Sequence, residues 1–246
     1  MSLVPPRHDG SVTPTTPTRG RYRYLLNGAE IPVTETFTIE QQVRGTSVTS
    51  ARSAPGTELR VEARYSLEGG VECALEWTSE LDGMAARVVA SYSVAPDGSI
   101  AARWSTNDAA ERTETIPVGS GPVPMFFPLM RVFSGRSLAK LVAVAPQPLP
   151  VLVPDIRDPK NVDAFLTPLL GDRFAASVAA GSCVVDDAAH PCDVVDYRGG
   201  SYDSDATVYL DNGGLLLRYT WPQEGAGEWD VQLCEIEGPW PTPSQW

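Results

Sequence analysis

The sequence predicts a mainly β protein: a single domain made of an antiparallel curved sheet (half-barrel, β-roll or barrel) with one central helix on its concave side. Three observations carry this. Two long stretches, from Arg21 to Trp104 and from Ala206 to Glu237, alternate apolar and polar residues with period two. Gly-, Asn- and Asp-bearing turn signals punctuate them, as in a meander of hairpins rather than βαβ units. Between the stretches lies one apolar, proline-framed segment, Pro122 to Pro154, with helical spacing.

In order, residues 1–19 are Pro- and Thr-rich without periodicity and are expected to be a disordered arm. The domain is expected over 20–238. GRYRYLLNG reads as a strand ending at the turn dipeptide Asn27-Gly28. Val33, Glu35, Phe37 and Ile39 then share one strand face, so Glu35 interrupts an apolar row. Leu59, Val61, Ala63, Tyr65 and Leu67 alternate with Glu58, Arg60, Glu62, Arg64 and Ser66. Gly69-Gly70, Asp82-Gly83 and Pro96-Asp97-Gly98 separate the strands that follow, which place Trp77, Tyr92 and Trp104 on the apolar face. One wet face is the mark of an antiparallel sheet covered on one side.

In the central segment, Phe127, Met130, Ser134, Leu138, Leu141 and Ala145 form one helical stripe, so a helix is expected over about 126–145. Pro128 suits its first turn, Pro146 ends it, and Gly135 marks a possible break. Gln147 to Pro154 is expected to be extended and at a sheet edge, because proline cannot complete a ladder. RFAASVAA reads as strand, Ser182 to Ser204 as an acidic, turn-rich loop, and Ala206 to Trp221 as a hairpin about Asp211-Asn212-Gly213-Gly214. A last strand covers Glu228 to Glu237, and residues 239–246 form a proline-rich tail.

Composition narrows the function. The chain has 246 residues, 42% hydrophobic, six Trp and a net charge of -12. This supports a packed core and argues against nucleic acid as a partner, since phosphate backbones need a basic surface. No apolar run reaches the length of a membrane span. The N-terminus lacks a basic-then-apolar signal, so the cytoplasm is the expected location. Basic residues are Arg except Lys140 and Lys160, which suggests a high-GC bacterial gene. No acidic residue falls between Glu114 and Asp155, while Arg131, Arg136 and Lys140 do, a basic apolar island in an acidic chain.

No catalytic motif stands out. His8 and His190 are the sole histidines, GxSxG is absent, and GSGPVP lacks the strand–helix context of a nucleotide site. Cys183 and Cys192 flank Asp186, Asp187 and His190, for which free thiols, a local disulfide and a metal site are all open. The spacing matches no standard zinc pattern, and no metal or cofactor is assigned. Glu35, on an apolar face, and Tyr92 are the candidate acid–base groups if a cavity exists. Candidate ligand contacts are Phe37, Tyr65, Trp77, Tyr92, Trp104, Phe127, Met130, Arg131 and Trp221, the aromatic face together with the segment that would cover it.

The segments EIPVTETFTIEQ, RVEARYSL, CALEW, ASYSVAPDGSIAARW, PVPMFFPLMRVF, VLVPDI and ATVYLDNGGLLLRY resemble, in order, those of a family of glycolipid-binding proteins. That family sits with the curved-sheet lipid carriers of the lipoprotein-localisation type. The resemblance spans about residues 30–236 and implies an open β-roll with an apolar concavity and a lipid ligand. The chain departs from it in the Cys-bearing stretch 182–196 and in its termini. The first reading is therefore a binding protein for a small hydrophobic or amphiphilic ligand, with an anionic head near Arg131, Arg136 or Lys140. Two alternatives stand beside it: a cofactor-independent cyclase or isomerase for a polyketide- or terpenoid-like substrate, and a structural protein with a filled core.

Overall fold

A computed structural model describes residues 16–81, 83–107, 109–116, 123–199 and 206–241. Most of the expected N-terminal arm, the end of the proline-rich tail and the stretch 200–205 lie outside the described residues.

Among the described residues the chain is mainly β, with one helix. Eight strands make the N-terminal meander: β1 (Thr18–Leu26), β2 (Ala29–Gln42), β3 (Gly45–Ala54), β4 (Thr57–Ser66), β5 (Val71–Leu81), β6 (Met84–Val94), β7 (Ile100–Thr106) and β8 (Arg112–Ile116). After the short β9 (Met125–Phe126) and helix α1 (Arg131–Val144), six strands follow: β10 (Leu149–Pro154), β11 (Pro168–Val185), β12 (Ala188–Arg198), β13 (Ala206–Leu210), β14 (Leu216–Gln223) and β15 (Gly227–Glu237).

All fifteen strands form one open sheet in the order β8-β7-β6-β5-β4-β3-β2-β1-β15-β14-β13-β12-β11-β10-β9. The two meanders join where β1 pairs antiparallel with β15, the first strand against the last. Every pairing is antiparallel except the two-residue match of β9 with β10. β11 is long enough to change partners, pairing β10 through Pro168–Arg173 and β12 from Phe174 onward.

The apolar faces of both meanders turn to a common interior. The Arg131 guanidinium of α1 lies over Tyr219 and near Trp221 on β14, its backbone N–H donates to Glu35 on β2, and Arg136 covers Tyr65 on β4. One helix therefore touches strands from both halves of the sheet, and the sheet curves around it. The segment from Met125 to Leu166 supplies the remaining cover: Phe126 stacks on Tyr92 at 5.0 Å, and Phe165 packs on Trp77 at 4.5 Å.

Several elements differ from the sequence expectation. The helix begins at Arg131, because Leu129 and Met130 have positive φ (63° and 52°) and turn the chain instead of starting a helix. Gly135 does not break α1. It lets the helix approach the β13–β14 connection, where a Cβ would meet the Gly214 carbonyl oxygen at 1.9 Å. β10 is not an edge strand, since β9 pairs along its outer side. The stretch expected as an acidic loop is instead a hairpin, β11–β12, turning at Asp186 and Asp187, both with positive φ that Asp tolerates better than most residues.

Candidate functional site

The candidate contacts fall on one continuous surface. Phe37, Tyr65, Trp77, Tyr92 and Trp221 are all buried on the inner face, and Trp104 is half-buried against them. Met130 is buried at the start of α1, with Phe127 and Arg131 beside it. Strand alternation explains the grouping, since residues two apart point to the same side and the registers align these rows across the sheet.

This concavity is filled. Among the described residues, the space between α1 and the sheet is about 40 Å³, lined by Phe127, Arg131, Ser134, Ser137, Tyr197 and Tyr219 among others. That holds a water molecule or two and no acyl chain. Tyr92 Oη donates to the Leu166 carbonyl at 2.6 Å, which ties the cover to β6.

Glu35 is fully buried. Its Oε2 accepts from Tyr24 Oη at 2.8 Å, and its Oε1 accepts from the backbone N–H of Arg131 and, at 3.5 Å, from Ser50 Oγ. The Met130 side chain makes no capping bond, so the carboxylate from β2 takes over the first orphan donor of α1. A negative group there is also favoured by the helix dipole. The Glu35 charge and burial together push the hydroxyls of Tyr22 and Tyr24 upward in pKa, Tyr24 to about 12, with burial the larger cause. Glu35 and Tyr92 are not brought together. They lie on strands four apart, on the order of 19 Å along the sheet.

The interior holds cations as well as carboxylates. Arg173, buried on β11, donates to Tyr197 Oη at 3.0 Å and to the Gly199 carbonyl. Arg131 sits 4.4 Å from the Tyr219 ring centroid, and Arg136 sits 4.2 Å from that of Tyr65. Against these, Glu35 and Asp211 are the buried carboxylates among the described residues. Asp211 accepts from the N–H groups of Gly213 and Leu215 and from Trp240 Nε1. Trp240 in turn stacks on His190 at 4.4 Å.

Cys183 and Cys192 are free thiols, their sulfurs 3.9 Å apart, and burial pushes Cys183 up to about 12. Among the described residues no group of three or more His, Cys, Asp or Glu is placed to hold a metal ion.

A second concavity lies on the opposite face of the same sheet, and sequence reasoning missed it. It is an open trough of about 760 Å³ crossing β15 and β1 to β7. Its floor is built from short outward residues, among them Thr36, Thr38, Thr49, Ala74 and Ser91, and arginine and glutamate line it together. Each strand shows only one or two of these residues. The belt exists only once the registers align Thr38 with Thr49, Glu62 with Ala74, and Ala74 with Ser91.

No family model matches the chain, and no curated protein matches its sequence. Among solved structures, it is similar to a β-barrel-like protein of a domain of unknown function, DUF1849, from Brucella abortus. That similarity has a TM-score of 0.56 at 11% identity, covering 92% of this chain and 98% of the other. At that identity the likeness shows a shared barrel-like curved-sheet fold. It does not extend to the glycolipid-binding family that the sequence segments resemble.

Proposed function

We propose that the protein binds a hydrophobic or amphiphilic small molecule within its curved sheet, the cover formed by residues 125–167 giving way as the ligand enters. One observation carries this reading: a continuous aromatic concave face is sealed by a single chain segment that largely stands outside the main β ladder and is held on unfavourable backbone. Leu129, Met130 and Leu166 all have positive φ, and Met130 (φ 52°, ψ 149°) occupies a region that is close to glycine-only. Each such residue costs on the order of 1–3 kcal/mol. The polar ties of the segment to the strands it covers include Arg131 N–H to Glu35, Tyr92 to Leu166, Thr106 to Val162 and the exposed Arg112–Asp163 pair. An acyl chain replacing Phe126, Phe165 and Leu166 against Tyr92 and Trp77 would exchange one apolar contact for another. The cost of opening then falls mainly on those few polar ties.

Native mass spectrometry of protein purified from a bacterial host tests the reading, together with titration of a fluorescent fatty-acid analogue. Bound lipid mass and saturable uptake are expected, with uptake increased in Glu35→Gln, which weakens the hold on α1. Apo mass alone in repeated preparations, with no saturable uptake in either protein, would sink the proposal and leave the filled-core structural reading.

A further inference from the structure

We infer that Arg136 and Lys140 form a binding site for a tetrahedral oxyanion of the phosphate type, at the end of the barrel where the second half of α1 reaches the surface. The two residues are one helical turn apart and so share a face. Most arginines of the outer surface have a carboxylate in reach: Arg21 has Glu235, Arg64 has Glu62, Arg87 has Glu76 and Arg218 has Asp230. Arg136 and Lys140 have none among the described residues, and Arg136 Nη1 is buried without a hydrogen-bond partner. Its guanidinium instead lies over the Tyr65 ring.

A half-buried guanidinium with no acceptor beside a second cation is unfavourable in the ligand-free protein. Burial lowers the pKa of both groups, and the Arg136 charge lowers that of Lys140 further, so no carboxylate offsets either. Arg131 does not compete for the role. Its backbone N–H is held by Glu35 and its side chain is sandwiched against Tyr219 and Trp221. A guanidinium fork plus an ammonium is the donor set that a phosphate group accepts from.

The surroundings favour a phosphate carried by a lipid. Tyr65 pairs with Thr46, so the β2–β3 and β4–β5 turns are neighbours at this end. They expose Val43 (73%) and Leu67 (81%), and Val144 is exposed one turn beyond Lys140. Glu40 and Glu68 belong to the same two hairpins and make no ion pair with either cation. Only the lipid-borne form of this inference rests on the amphiphile reading, since a free phosphate needs the cation pair alone.

The test compares wild type, Arg136→Gln, Lys140→Gln and the double variant, all as the full chain. Thermal shift is measured in sodium phosphate against sodium chloride at equal ionic strength. Vesicle flotation is measured with phosphatidylglycerol in phosphatidylcholine against phosphatidylcholine alone. Each single variant is expected to bind about tenfold or more weakly, the usual effect of losing one charge-assisted hydrogen bond. Arg136→Gln is also expected to melt at or above the wild-type temperature without anion. Phosphate response without flotation identifies a free oxyanion, and flotation that needs phosphatidylglycerol identifies a headgroup. If the double variant responds like wild type in both arms, or if wild type responds in neither, the site is overturned. Lipid co-purifying equally with the double variant would leave the amphiphile reading standing while the lipid-borne form of the anion site falls.

Discussion

Gly135→Ala tests how closely the cover is seated on the sheet. On an exposed helix surface this substitution stabilises by about 1 kcal/mol, because alanine has the higher helix propensity. Here the added methyl would lie 1.9 Å from the Gly214 carbonyl oxygen and 2.8 Å from the Leu216 backbone nitrogen. Both are backbone atoms, one in the β13–β14 connection and one at the first residue of β14, and cannot rotate away. To reach an ordinary contact, α1 must lift by about 1.5 Å, which loosens Phe133, Leu138 and Leu141, all buried against the sheet. Overpacking of this kind costs about 1–3 kcal/mol, and partial loss of buried apolar surface adds to it. After subtracting the propensity gain, a net loss of about 2 kcal/mol is expected, or roughly 4–8 °C in Tm for a chain of this size. Urea and thermal denaturation followed by circular dichroism would measure it. Ala143→Gly, at an exposed helix position, calibrates the propensity scale at about 1 kcal/mol. A rise in Tm for Gly135→Ala would refute the close seating of α1 on β14, and with it the filled concavity.

Glu35→Ala removes the acceptor for Tyr24 Oη and the Arg131 N–H, and should cost about 2–4 kcal/mol in urea denaturation, with Glu35→Gln costing about half as much. Equal losses in the two variants would show that the charge, rather than the hydrogen bonds, holds the helix start. Arg157 holds the Asp155 carboxyl below the usual carboxylate range, chiefly through its side-chain hydrogen bonds. A depressed carboxylate contributes stability that is complete above the unfolded pKa near 4 and is lost as pH falls through the folded value. Asp155→Asn should therefore flatten the acid limb of the stability curve below about pH 5, and an unchanged limb would count against the pair. With Cys183 pushed up to about 12, roughly one thiol in ten thousand is ionised there at pH 8. Disulfide-exchange labelling of the native protein should be slow at Cys73, Cys183 and Cys192, and faster at the half-buried Cys234. Four fast thiols in native buffer would contradict the burial.

What could be read from the sequence was what is local. The strands from β4 to β7 are legible because Leu59 to Tyr65 and Val71 to Trp77 alternate strictly, and a half-wet sheet needs that alternation. The pairing of β1 with β15 is not, since nothing in GRYRY or VQLCEIE specifies a partner more than 200 residues away. The sequence points to a helix start before Arg131 because Pro128 has the right chemistry for a first turn. The left-handed backbone at Leu129 and Met130 has no sequence signal, and tertiary contacts impose it. The composition of 182–204 points to a loop, because Asp, Gly and Pro crowd it. Yet Cys183 and Val185 on β11, and Val195 and Tyr197 on β12, are buried at two-residue spacing, and Cys192 is buried out of that phase beyond a register shift. Glu35 was legible as anomalous from its place between Val33 and Phe37. Its role in holding α1 needed the fold.

The arrangement gives Glu35 and Arg136 opposite tasks along one helix. At its first residue, a buried carboxylate satisfies a backbone donor and lies on the favourable side of the helix dipole, so α1 is fastened there in the absence of ligand. One and two turns later, Arg136 and Lys140 are cations without a counter-charge among the described residues, so this part of the helix is left unsatisfied. A ligand that brought its own anion to the second position would repay the penalty there. Its apolar part would have to match Phe126, Phe165 and Leu166 against Trp77 and Tyr92, an exchange close to neutral in hydrophobic energy because both partners are apolar. Under the amphiphile reading, affinity is then decided by head-group charge more than by chain length. Fatty-acid analogues of increasing length should differ in affinity far less than a phosphorylated amphiphile differs from its neutral alcohol. If each added CH₂ instead strengthens binding by the roughly 0.8 kcal/mol of a transfer from water, the ligand is entering space that the side chains of the cover do not already fill, and the exchange of one for the other is wrong.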